Sequence, residues 1–346
     1  MPSIAKPFIT DSHDSPAYWQ IGNLWRVMAT GVQTDNSFTL LDQIVHAGAG
    51  GGPVTHTHTQ DEGLYVISGQ CTFNAGGIHG LLGSPGTFVA IPGECEHSFW
   101  VDEPDTQVLN FYLPAGFEQL LIGISHPAEE RVPPPPERIL EMLPPRELAD
   151  KLCEQYGEVN TLGNPFTDPP DKDKMYTKAT PGATVFPFIS NASDSDRHGI
   201  WLRGSLYTIL ASGESTGGSY SVIEQRFCKG PVNSPHIFDD KDEIYYIFDG
   251  EMTFLLDEKV KTAKKGALVF VPRGHVSAVT VTSETALCLN ITTPGGFDRY
   301  VEAVGTLAEE KVLAPKSFKD KDVDAGLMYR LKKECGLREV AVASPF

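Results

Sequence analysis

The sequence predicts an all-β protein made of two tandem copies of one antiparallel unit, a sandwich or a small barrel, with short flanking helices. Three observations carry this expectation. The chain matches itself at an offset of about 180 residues, too long a resemblance for coincidence. GLYVISGQCTFNAGG (63–77) answers IYYIFDGEMTFLLDE (244–258), GTFVAIPGECEHS (86–98) answers GALVFVPRGHVSA (266–278), and LPAGFEQLLIGISHPAEERV (113–132) answers TPGGFDRYVEAVGTLAEEKV (293–312). Within each copy, Val, Ile, Phe and Tyr alternate with small or polar residues over runs of strand length. Gly and Pro-Gly punctuate those runs, and 33 Gly with 26 Pro suit many short strands joined by tight turns.

The elements follow in order. In the first copy GLYVISG, GTFVAIPG and QVLNFYLPAG read as successive strands. Each copy closes with a helix of apolar residues at helical spacing, expected over 117–125 and 297–310. VPPPPERILEMLPP (132–145) reads as the connection between copies. PPRELADKLCEQYG then predicts a short helix opened by proline, stopped by Gly157, with Leu148, Leu152 and Tyr156 on one face. DPPDKDKMYTKATPG (168–182) reads as a loose segment. The division expected is therefore residues 1–150, a linker with a short helix over 151–180, and residues 181–346.

A formal charge of −17 argues against nucleic acid or an anionic membrane surface as a partner, because both require clustered Lys and Arg. The opening MPSIAKPFITDSHDS has no apolar core of the secretory kind, and no later run approaches membrane-span length. A cytoplasmic protein is expected. The six cysteines include no CxxC pair and read as buried thiols of a reducing compartment.

The chemistry concentrates in PVTHTHTQDEGLYVISGQ (53–70). Residues i and i+2 of a strand point to the same side, so His56 and His58 aim at one place, with Glu62 close behind. Gly50, His56, His58, Glu62 and Gly69 form the pattern G-x5-H-x-H-x3-E-x6-G, and Gly86, Pro92 and His97 form G-x5-P-x4-H. These two blocks resemble the paired signature motifs of the cupin superfamily. The whole layout, with H-x-H, EGLYVISG, and LPAGFEQLLIGISHP after the barrel, resembles the flavonol 2,3-dioxygenases (quercetinases) and their relatives. One spacing differs: only Thr59, Gln60 and Asp61 separate His58 from Glu62, where quercetinases usually have four residues.

The resemblance implies a bicupin: two tandem cupin (small jelly-roll β-barrel) domains. It further implies one divalent transition metal (Cu, Fe, Mn, Ni, Co or Zn) in the N-terminal barrel, held by His56, His58, Glu62 and His97. Glu62 would be both ligand and general base. O2 would be the co-substrate in opening an aromatic enol or flavonol-type substrate with loss of carbon monoxide. The physics agrees, since imidazole and carboxylate suit such metals and would be costly to bury unsatisfied. A redox-neutral metal-dependent cupin (an isomerase, cyclase or decarboxylase on a small aromatic or polyketide substrate) is the alternative, and a non-catalytic storage bicupin the third.

Strand parity places Leu64 and Val66 with Glu62, and Phe99 with His97, as the expected substrate lining. No Lys or Arg lies between His46 and Phe111, which fits a flat aromatic substrate better than oxalate or a sugar phosphate. Asn110 is expected to satisfy backbone groups at a strand end. In the second copy His236 aligns with His56, and Glu243 or Asp242 with Glu62. Phe238 replaces His58, and Ser277 falls where His97 should be, with His275 nearby as a possible substitute. That barrel is expected to be structural, its pocket filled by Phe238. A homodimer covering exposed strand edges is expected.

Overall fold

A computed structural model describes residues 5–45, 53–168 and 171–342, and His46 and Gly50 lie outside them. The chain divides into two compact units, residues 12–190 and residues 191–346 together with the first eleven.

The first unit has two antiparallel sheets. One runs in the order His126–Pro127, Ala17–Gln20, Asn23–Ala29, Thr39–Val45, Thr106–Leu113, Asp61–Ser68, Thr87–Ile91 and Phe188–Asn191. The other runs Val159–Asn160, His56–Thr57, His97–Val101, Cys71–Ala75 and Ile78–Gly83. Alternation puts Leu64, Val66, Val89 and Val108 of the first sheet against Phe73, Phe99 and Val101 of the second, and these make the core between the layers. Neither sheet closes on itself, so the expected barrel is two facing layers. The turn after Asp61–Ser68 needs glycine, because Gly69 has φ +77° and a Cβ there would sit 2.8 Å from Thr106 Cα.

The helices Phe117–Ile124 and Arg146–Tyr156 lie together at one end of this unit. Phe117, Leu120, Leu121, Ala149 and Cys153 pack there with Trp25, Val27, Leu41 and Tyr112. Gly157, in left-handed conformation, stops the second helix as its sequence predicts. The face it buries is Ala149 and Cys153, with Leu152 and Tyr156 partly covered, while Leu148 is exposed.

In the second unit one continuous strand, Ser277–Thr293, replaces the pair His97–Val101 and Thr106–Leu113. It pairs with strands of both layers and so joins twelve strands into one sheet. Its closing helix ends at Val304, not 310, because Gly305 breaks it and Thr306–Leu307 pairs with Gly199–Leu202.

The units depart from the expected limits of 1–150, 151–180 and 181–346. Arg146–Tyr156 and Val159–Asn160 belong to the first unit, since the helix buries Ala149 and Cys153 there and Asn160 pairs with His56. Phe8–Asp11 belongs to the second unit, where it pairs with Ala267–Val271. All six cysteines are free thiols, but Cys228 is exposed where a buried one was expected. Among the described residues no helix is long and apolar enough to cross a membrane.

Candidate metal centre and pocket

His56, His58 and His97 come together as expected. The strand His56–Thr57 pairs with His97–Val101 so that His56 stands opposite His97. The two rings lie 4.2 Å apart, and the His58 ring is 4.8 Å from that of His97. The three histidines each offer a nitrogen within 4.8 Å of the others, and all three are buried. Backbone carbonyls fix their orientation. His56 Nδ1 is 2.9 Å from Val54 O, His58 Nδ1 3.0 Å from Gln60 O, and His97 Nδ1 2.9 Å from Cys95 O. A carbonyl accepts, so each Nδ1 carries a proton, and the Nε2 that a neutral imidazole then leaves bare is the atom turned to the shared centre.

Glu62 completes the cluster. Its Oε2 lies 3.3 Å from His58 Nε2 and 3.0 Å from His97 Nε2, and Asn110 Nδ2 donates to its Oε1 at 3.0 Å. The last contact corrects the expectation for Asn110, whose amide serves the carboxylate and not a strand end. His97 Nε2 has no hydrogen-bond partner among the described residues. Lone pairs of two imidazoles therefore face a carboxylate oxygen at short range with no proton assigned between them. A cation satisfies all of these groups at once, so the residues fit a metal ion.

Electrostatics point the same way. Burial first, then His97 and His58, hold His56 well below its ordinary value. Burial and the neighbouring Glu62 charge push the Tyr112 phenol well above its ordinary value.

Beside the cluster opens a pocket of about 660 Å³, lined by His56, Glu62, His97 and Asn110 and walled by Trp25, Phe99, Tyr112, Phe117 and Phe166. Phe99 is where parity placed it. Leu64 and Val66 are not in the lining: they face the same interior as Glu62 but lie deeper, fully buried in the core between the sheets. Trp25, Gln43 and Phe166 were missed because they come from strands and loops outside the two motif blocks. A signal for Gln43 was present, since this amide stands between the apolar Leu41 and Val45 on one buried strand face.

The second unit repeats the frame with different chemistry. Ser277 stands opposite His236 as His97 stands opposite His56. Glu243 Oε2 is 3.3 Å from His236 Nε2 and accepts from Ser277 Oγ at 3.2 Å, while Tyr245 OH donates to Oε1 at 2.9 Å. His275 points elsewhere and pairs with Asp257 at 2.8 Å. Asp242 is held by Arg273 at 2.9 Å, leaving Glu243 as the counterpart of Glu62. The expected filling by Phe238 does not occur. Its ring packs with Tyr300, Val304 and Cys335, and a pocket of about 610 Å³ remains beside His236, Glu243 and Tyr245.

Solved structures of the oxalate decarboxylase of Bacillus subtilis share this architecture. A point mutant of that enzyme superposes with a TM-score of 0.56 at 15% identity, covering 85% of this chain and 79% of that one. The form at pH 4.6 gives a TM-score of 0.55 at 14% identity, over 85% and 78% of the two chains. The chain folds as a bicupin. The bicupin is also 22% identical over 312 residues to the quercetin 2,3-dioxygenase of Bacillus subtilis (strain 168), spanning 88% of each chain. No family model matches it.

Proposed function

We propose that this bicupin is a metal-dependent dioxygenase of the quercetinase type, acting on a flat aromatic enol or flavonol-like substrate. One divalent transition metal is held by His56, His58, Glu62 and His97. When bound, it supplies Lewis acidity toward an enolate oxygen and a partner for O2. The observation that carries this reading is the pocket wall. Five aromatic residues border the three-histidine, one-glutamate cluster, and the lining holds no Lys or Arg. A planar ring fits such walls, whereas a small dianion such as oxalate requires a cationic side chain. The similarity to a quercetin 2,3-dioxygenase along most of both chains supports the same reaction class. A protein of similar fold, the oxalate decarboxylase of Bacillus subtilis, is described with Mn(II) centres, which supports a divalent ion in this reading.

The chain's own groups have definable tasks. Glu62, within 3.3 Å of two of the imidazoles and open to the pocket, takes the proton of the substrate's enol hydroxyl. Asn110 holds Oε1 and so keeps Oε2 directed at the histidines. Tyr112, kept neutral by burial, stands beside Glu62 as a proton donor that carries no charge into the site. Trp25, Phe117 and Phe166 shield the reacting ring from water.

Oxygen uptake decides the reading. Metal-loaded protein is supplied with flavonols and other aromatic enols, and consumption of O2 in proportion to substrate is expected. Product formed at full rate under strict anaerobiosis would overturn the dioxygenase and favour a redox-neutral lyase or isomerase.

A further inference from the structure

The pocket has a second polar pole that the proton and metal chemistry does not use. Trp25 and Gln43 are cross-strand partners on Asn23–Ala29 and Thr39–Val45, and both line the pocket. The strand Thr106–Leu113 separates Thr39–Val45 from the strand that carries Glu62. Trp25 Nε1, Gln43 Oε1 and the nearby Asn23 Oδ1 are all buried, and none has a hydrogen-bond partner among the described residues. Their residues are 7%, 1% and 7% exposed, so solvent does not satisfy them readily. One unmatched donor and two unmatched acceptors, collected on one wall of a cavity, mark a place where a ligand supplies the missing partners.

The second unit shows that the vacancy is particular to this pocket. Tyr207 and Gln225 pair there as Trp25 and Gln43 do here, and both again line a pocket. Gln225 Oε1, however, accepts from Cys288 Sγ at 3.8 Å. Cys288 faces Gln225 across the sheet, and Val108 holds that place opposite Gln43. The thiol that closes the second pocket's glutamine is thus a valine in the first.

We propose that Trp25 and Gln43 form a subsite that reads a hydroxyl group on the substrate's aromatic frame. Trp25 Nε1 donates to the hydroxyl oxygen, and the hydroxyl donates to Gln43 Oε1, with Asn23 Oδ1 a further acceptor for a neighbouring donor. Only a group that both accepts and donates meets this wall. A carboxylate faces two carbonyl oxygens, an ammonium offers nothing to the indole N–H, and an ether lacks the proton. The substrate class is therefore a phenolic aromatic enol. This rests on the pocket being the substrate site of the proposed dioxygenase.

Anaerobic titration calorimetry tests the subsite apart from turnover. Two matched pairs serve as probes: 3-hydroxyflavone with 3,4′-dihydroxyflavone, and biphenyl with 4-hydroxybiphenyl, which lacks the enol. The hydroxylated member of each pair is expected to bind roughly 100-fold tighter, because its absence leaves buried polar groups unmatched. Trp25→Phe and Gln43→Met should each reduce that preference, the ratio within a pair, to about threefold. Val108→Cys, outside the lining, should lower it too by giving Gln43 the thiol partner that Gln225 has. Equal binding within both pairs by the wild-type protein, or no binding of either biphenyl, overturns the subsite, even where one of the variants fails to fold. Preference within the biphenyls with no binding of either flavone leaves the subsite standing and sinks the flavonol reading instead.

Discussion

The two units hold the same strand frame around opposite electrostatic states. Around Glu62 stand two imidazole nitrogens that carry no assigned hydrogen and one amide that does. Around Glu243 stand His236, Ser277 and Tyr245, and the two hydroxyls donate directly. The counterpart histidines shift in opposite directions as a result. His56 is lowered by burial and by its two histidine neighbours. For His236 burial also lowers, but the Glu243 charge outweighs it and the pKa is raised. A cluster short of protons invites a metal cation; a carboxylate already furnished with them does not. Loss of two imidazoles, to Phe238 and Ser277, is enough to turn one state into the other.

The largest expected effect separates the two sites by metal content. Elemental analysis of purified protein should give close to one divalent ion per chain. His58→Ala should lower metal affinity by at least about 100-fold, more than the loss of an outer-shell partner costs, and abolish oxygen uptake. Restoring the pattern in the second unit with Phe238→His and Ser277→His should raise the content toward two. Two ions in the wild-type chain would break the comparison outright, since the second unit would then bind metal with one imidazole.

Next in size is a pH effect confined to the first unit. Glu158 is buried beside Cys153 with Oε2 unpartnered, and burial, with some help from the Glu62 charge, pushes its carboxyl up to about 8. The folded chain therefore holds a proton that the unfolded chain releases near pH 4.5. Stability from this group is complete below that value and declines as pH rises toward 8, by on the order of 1.4 kcal/mol per pH unit. Glu158→Gln carries no ionisable proton, so denaturant unfolding between pH 5 and 8 should lose this slope. A slope unchanged in the variant would show that Glu158 ionises freely in the fold.

What the sequence made legible was local. His56 and His58 share a face because strand alternation has a period of two, and the duplicated glycine turns, Gly69 and Gly250, mark the same corner twice. Depth along a strand carries no such signal: Leu64 and Val66 share the parity of Glu62 yet lie in filled core, because a small two-sheet domain packs its interior and leaves space only near one end. Partnerships between distant segments were equally hidden. Phe8–Asp11 finds its partner in Ala267–Val271, and Asn110 finds Glu62, through pairings that no window of neighbouring residues displays. Phe238 likewise depends on a distant partner. An aromatic residue in place of a ligand suggests a plugged pocket, but the helix Phe297–Val304 offers its ring another site, with Phe297 centred 5.8 Å away.

The smallest effect sharpens the contrast most directly. His236 has its pKa raised, so its proton stabilises the fold fully below about 6.5, the unfolded value, and the contribution disappears as pH rises through the folded one. His236→Gln should cost about 1 kcal/mol at pH 6 and less at pH 9. The cost stays small because Ser277 and Tyr245 continue to donate to Glu243, which is not left as an uncompensated buried charge. Chemical denaturation at the two pH values measures it. A cost that is equal or larger at pH 9 would mean that His236 is neutral in the folded protein, and its Nε2 would then face Glu243 as His97 faces Glu62. Added divalent metal provides the matching control: it should protect the wild-type chain and the His236→Gln variant to the same extent, because the ion sits in the other unit.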